Sequence, residues 1–315
     1  LSTYVDPEIG AALVAAAEAA QGVTLPERDD PLGLRELTNQ TLVGVLGALP
    51  PTPDVSTTTF TATADDGTTI PSRWYARADS APGSAVVYVH GGGMICGSVE
   101  LYEPLVQHYV QLTGVPMLSV DYRLAPEVHD STPATDSFAA LQLLYKEADN
   151  LGVDRSRIAL MGDSGGGGIA ASTAILARDN GIEVAKQILV YPMLDDRNTE
   201  PDPILAPTAL WSYDNNYTAW HALLGDTIGG ATVSPLAAAA RLVDFSNLAP
   251  AYIEVGELDI FRDESLRYAQ QLATAGVSCE FHLYPGAPHG YDWLGVQTAI
   301  GTRVMTDRIR VLKSL

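Results

Sequence analysis

The chain has 315 residues, 46% hydrophobic and 18% charged, which suits one large α/β domain with a sizeable core. Its 18 basic residues face 38 acidic ones, a net charge of −20 that repels nucleic acid and anionic membranes and excludes both as partners. The two cysteines, Cys96 and Cys279, lack C-x-x-C spacing, so neither a disulfide framework nor a metal or redox motif is expected.

Residues 1–50 read as helical: "DPEIGAALVAAAEAA" opens on an Asp-Pro cap, and "LGLRELTNQTLVGVLGAL" follows with helical spacing. The alanine-rich start is interrupted by Glu18 and is not read as a signal peptide. No run approaches the ~18 apolar residues of a membrane span, so a cytoplasmic protein without a membrane span is expected. "PPTPD" at 50–54 breaks the chain, and a β-branched hairpin follows around an Asp-Gly turn. Short apolar strands then alternate with helices. The strands are "SAVVYVH", "PMLSVDYR", "RIALMGDS", "KQILVYPML", "AYIEVGELD" and "SCEFHLYPG", and residues 296–314 form the last helix. That rhythm predicts a parallel sheet covered on both faces. Residues 196–230 interrupt it with "WSYDNNYTAW", four aromatics in ten residues.

The stretch "MGDSGGGGIA" at 161–170 invites two readings. A phosphate-binding P-loop needs a lysine, and none stands near. A dinucleotide pattern fits Gly166, Gly168 and Ala171, but Glu183, the only nearby acid, precedes its strand instead of ending it. The better reading is G-x-S-x-G, with Ser164 as a nucleophile on a strained turn between strand and helix.

Such a serine needs a base, an orienting acid and oxyanion donors. Three histidines lie downstream. His221 falls in the aromatic insertion and His282 inside an alternating strand, whereas His289 sits in a loop just after a strand, where sheet enzymes place catalytic groups. The acid is one of Glu257, Asp259, Asp263 and Glu264; Asp259, at the strand end, is preferred. The oxyanion donors come from "HGGG", that is Gly91, Gly92 and Gly93, with the amide of Gly165. His90 is read as holding that loop.

Five motifs in this order resemble the bacterial hormone-sensitive-lipase-like esterases: "HGGG" at 90–93, "DYRLAPE" at 121–127, "GDSGGGG" at 162–168, "ELDIFRDE" at 257–264 and "HGY" at 289–291. The resemblance covers about residues 84–295. It implies an α/β-hydrolase fold with a mostly parallel eight-stranded sheet flanked by helices. Residues 1–52 would be a helical cap, and residues 53–315 the catalytic domain with a cap insertion at about 196–230. It also implies Ser164, Asp259 and His289 as the triad, and structural roles for Asp121, Arg123 and Glu127. Gly165 stands where the family usually has alanine, which keeps the amide donor and loosens the turn. Met94 stands where an aromatic often follows the glycines and is a candidate for substrate binding.

The expected chemistry is hydrolysis of a small-molecule carboxylic ester, of short to medium acyl chain, through an acyl-enzyme, with no metal or organic cofactor. Lactones, amides or carbamates could use the same machinery, and a non-catalytic receptor of the same fold is the alternative from another class. Trp211, Tyr213, Tyr217 and Trp220 either line the substrate pocket or pack the cap onto the core. The strand at 278–284 is expected to be a sheet edge, and a homodimer through it is the expected partner contact.

Overall fold

The computed structural model describes residues 4–294 and 297–315. The first three residues of the expected cap, and residue 296 where the last helix was expected to begin, lie outside them.

Two helices come first, α1 (Pro7–Ala19) and α2 (Pro31–Leu46). Each starts at an Asp-Pro pair: Asp6 accepts from the amides of Glu8 and Ile9, and Asp30 from that of Gly33. The hairpin β1 (Val55–Thr63) and β2 (Thr69–Arg77) follows, then β3 (Ala85–Val89), α3 (Val99–Thr113), β4 (Met117–Val120) and α4 (Thr132–Leu151). The series continues with β5 (Ile158–Asp163), α5 (Gly165–Asp179), β6 (Gln187–Val190) and α6 (Tyr213–Leu224). It closes with β7 (Ala251–Gly256), α7 (Arg262–Thr274), β8 (Cys279–Tyr284), the one-turn α8 (Tyr291–Leu294) and α9 (Ala299–Lys313).

The eight strands form one sheet in the order β1-β2-β4-β3-β5-β6-β7-β8. β1, β2 and β4 pair antiparallel, and every pair from β4 to β8 is parallel. β3 shows why the strands read as unbroken apolar runs. Val87 and Val89 enter the core with Leu141 of α4 and Ala174 of α5, while Val86 and Tyr88 join Val106 of α3 and Val304 of α9 on the other face. Each buried valine contributes roughly 1.5–3 kcal/mol on either side. As expected, β8 is an edge: it pairs with β7 alone among the described residues. No helix among those residues is long and apolar enough to cross a membrane.

The strand order sets the site. The chain reverses direction of travel across the sheet around β3 and β5, and in such sheets ligands bind beyond the carboxyl ends of the strands. The loops after β3, β5, β7 and β8 meet there.

Candidate active site

Ser164 is the single residue between β5 and α5, and its backbone sits at φ 54° and ψ −120°. L-residues avoid this region, so the surroundings must hold it there. The Ser164 amide donates to Val190 O at 2.9 Å, and its carbonyl accepts from Met193 N at 2.9 Å and Gly168 N at 3.1 Å. The turn fits only because Gly166 has no side chain; a Cβ there would run into the carbonyl oxygens of Val89 and His90.

Ser164 Oγ lies 3.0 Å from His289 Nε2, and His289 Nδ1 lies 2.8 Å from Asp259 Oδ2. With the proton of Nδ1 directed at the carboxylate, Nε2 turns its lone pair to the serine hydroxyl. Asp259 is fully buried, and its other oxygen accepts from the amide of Phe261 at 2.9 Å. The imidazole is clamped edge-on by Phe261 at 5.0 Å and Tyr191 at 4.7 Å between ring centroids. Of the other acids weighed from the sequence, Glu257 accepts from Gly286 N in the loop ahead of His289. Glu264 is spent on the amides of Leu194 and Asp195, and Asp263 pairs with Arg262.

The glycine loop after β3 folds over Ser164. The amides of Gly92 and Gly93 donate to no acceptor among the described residues, and Gly165, as the first residue of α5, has no intrahelical one. Gly91 differs from its expected role: its N–H donates to Asp163 Oδ1 at 3.1 Å and is not free for an oxyanion. Gly165 also departs from expectation. The turn is not loose there, because a Cβ on Gly165 would stand 2.8 Å from the amide nitrogens of Gly93 and Met94. His90 is buried, stacks on Tyr122 at 4.3 Å and bonds to Gly91 O through Nδ1. Burial drives its pKa down to about 4, so it is neutral and braces the loop.

The "DYRLAPE" segment frames this loop. Asp121 accepts from Val99 N, Arg123 grips Asp136 with two nitrogens, and Glu127 forms a two-pronged pair with Arg35 of α2 at 2.7 and 2.6 Å. Arg35 also donates to the carbonyls of Ile95 and Ala125, so α2 is bolted to the glycine loop and the segment after it.

A cavity of about 420 Å³ opens over Ser164 and His289. Its apolar wall comes from α2 and the chain before it, with Leu34, Leu37, Leu42 and Val45, and its mouth from Leu25 and Leu210. Of the five residues expected to line a pocket, only Trp211 does; its indole lies against Gly93. Met94 is buried and turns under α5 toward Gly168. Tyr213 and Trp220 are buried in the core, and Tyr217 stacks on His221 beneath the guanidinium of Arg28. The reason is that α6 carries its aromatics on several faces and none of them turns to the cavity, which α6 reaches only through Asn215 and the chain just ahead of its N-terminus through Trp211. Sequence reasoning missed Tyr102, Asp163, Tyr191 and Trp293, which also line it. Tyr191 and Trp293 carried a signal, an aromatic just beyond β6 and another four residues after His289.

Comparison with known proteins identifies the family. Residues 86–292 match the family model described as alpha/beta hydrolase fold. Ethyl acetate hydrolase of Pseudomonas putida is 32% identical over 74% of this chain and 74% of its own. A carboxylesterase of Mycobacterium tuberculosis is 38% identical over 65% of this chain and 66% of its own. Among solved structures, a bacterial heroin esterase superposes with a TM-score of 0.88 at 34% identity, covering 98% of this chain and 97% of that one. A hyperthermophilic esterase from the archaeon Pyrobaculum calidifontis gives 0.85 at 29% identity over 98% of each chain. The chain belongs to the α/β-hydrolase family, among its hormone-sensitive-lipase-like esterases.

Proposed function

We propose that the chain is a serine carboxylesterase that cleaves short- to medium-chain acyl esters through an acyl-enzyme. The observation that carries the reading is the unbroken chain from Ser164 Oγ through His289 to the buried Asp259. His289 takes the hydroxyl proton as Ser164 attacks the ester carbonyl, and Asp259 stabilises the imidazolium. The amides of Gly92, Gly93 and Gly165 receive the oxyanion, each donor contributing about 3 kcal/mol to the transition state. His289 then protonates the leaving alcohol and activates water to release the acid. Helices α1 and α2 act as the cap, and their apolar wall receives the acyl chain; a cavity of about 420 Å³ suits a short to medium chain. Pairing of two copies along the β8 edge stands as a proposal beside this one, read by the sedimentation mass.

The test is turnover of p-nitrophenyl butyrate by the wild type and by Ser164→Ala. The wild type shows a stoichiometric burst of p-nitrophenol, and the variant loses at least about 10³-fold in kcat with an unchanged melting temperature. Turnover by the variant near the wild-type rate overturns the assignment.

A further inference from the structure

Asp163, the residue immediately before Ser164, is used by no step above, yet it is a buried carboxylate whose oxygens face the underside of the glycine loop. Its Oδ1 accepts from Tyr88 OH at 2.7 Å and from the amide of Gly91 at 3.1 Å. Its Oδ2 accepts from Tyr102 OH at 3.3 Å and packs so closely on Gly91 that a Cβ there would strike it. One carboxylate therefore joins two segments that are distant in sequence and must be registered to within a fraction of an ångström. One neighbour of Asp163 carries the hydroxyl. The loop it holds carries the amides of Gly92 and Gly93.

We propose that Asp163 is a positioning residue that sets the oxyanion donors of the glycine loop at their working distance from Ser164. The proposal rests on the serine-esterase reading of the same site. The strap runs from the Ser164 turn through Asp163 to Gly91 N, one residue before the first donor. Tyr88 from β3 and Tyr102 from α3 hold the carboxylate in its rotamer, so it cannot swing away from the loop. Cutting the strap frees the donors to back away, and a shift of one ångström in such a site costs about 10²-fold. Ground-state binding is spared, because the acyl chain is held by the α2 wall of the cavity. The strap works by hydrogen bonding, so an amide of the same shape should preserve it. In Asp163→Asn the oxygen still accepts from Tyr88 and Gly91, and the new NH₂ meets the Tyr102 oxygen.

The test compares Asp163→Ala, Asp163→Asn and Ser164→Ala in the full chain. It measures steady-state kinetics with p-nitrophenyl butyrate, inhibition by an alkyl trifluoromethyl ketone that forms a tetrahedral adduct, and melting temperature. Asp163→Ala should lose about 10²-fold in kcat with KM within threefold of wild type, and lose ketone affinity by the same factor. Asp163→Asn should keep kcat within tenfold. Wild-type kcat in Asp163→Ala overturns the proposal, as does equal loss in both Asp163 variants, which would assign the effect to charge. A lower melting temperature with unchanged ketone affinity also overturns it, as a purely structural role. If Asp163→Ala does not fold, Tyr88→Phe decides: a three- to tenfold fall in kcat at constant KM is expected, and an unchanged kcat overturns the proposal. Ser164→Ala separates the two levels, since turnover by that variant defeats the esterase reading itself.

Discussion

Replacing Gly165 by alanine tests whether the glycine loop is as tightly seated as the geometry shows. The added methyl would stand 2.8 Å from Gly93 N and Met94 N and 2.9 Å from Gly93 Cα. Non-bonded carbon contacts are comfortable at about 3.5 Å, so the loop has to retreat by about 0.7 Å. The atoms that retreat include the amide of Gly93, one of the proposed oxyanion donors. Scaling a cost of about 10² per ångström gives a loss of about 25-fold in kcat, or about 1.9 kcal/mol of transition-state stabilisation. Stability moves the other way or stays level. Alanine gains up to about 1 kcal/mol over glycine in a helix, and the strain of the loop offsets part of it. The assay is p-nitrophenyl butyrate kinetics beside urea unfolding. The signature is lower kcat, constant KM and an unfolding free energy within about 1 kcal/mol of wild type. A kcat equal to or above wild type refutes the reasoning, because it would show that the methyl finds room without moving the donors.

Burial pushes the Asp163 carboxyl up to about 6 from its ordinary 3.8, with the hydrogen bond from Tyr88 pulling the other way. A carboxyl raised in the fold favours the folded state when protonated, and that contribution is lost as pH rises from about 4 through about 6. Asp163→Asn should therefore gain about 2–3 kcal/mol on the wild type between pH 4 and pH 7, by urea unfolding at both; a pH-independent difference contradicts this. Arg308 is buried between Glu254 and Asp292, bonded at 2.5 and 2.6 Å, and Asp292 in turn holds the Tyr191 that flanks His289. Arg308→Met leaves both carboxylates buried without a cation and should cost about 3–5 kcal/mol; a loss below about 1 kcal/mol would show that water or protonation relieves them.

What the sequence made legible follows from chain order. A parallel sheet delivers its loops to one end, so a serine after one strand, an acid after a later one and a histidine after the last could be named from position alone. Ser164, Asp259 and His289 are brought together in space for that reason. Three further features were not legible. The direction of an amide depends on its partner, and the acceptor of Gly91 N–H is a carboxylate 72 residues away. The face a residue occupies on a short helix packed on several sides cannot be read from aromatic density, so of the four aromatics in "WSYDNNYTAW" one, Trp211, lines the cavity and three pack elsewhere. The wall supplied by Leu34, Leu37 and Leu42 looks like any helical apolar spacing.

The glycines show the boundary most clearly. Gly162, Gly165 and Gly166 belong to the nucleophile motif G-x-S-x-G, while Gly167 and Gly168 are not explained by it. A Cβ on Gly168 would strike the carbonyl of Met193, and one on Gly167 would stand 2.9 Å from Pro192 Cβ. The same segment returns the Met193 amide to the Ser164 carbonyl. Gly167 and Gly168 therefore let α5 sink against the chain leaving β6, as Gly165 and Gly166 let it approach the end of β3 and the glycine loop, and these contacts help to hold Ser164 at its strained φ. The run costs helix stability, about 1 kcal/mol per glycine relative to alanine. A helix that gives up this much at its first turn does so because close approach of backbone to backbone, and not helix propensity, positions the serine.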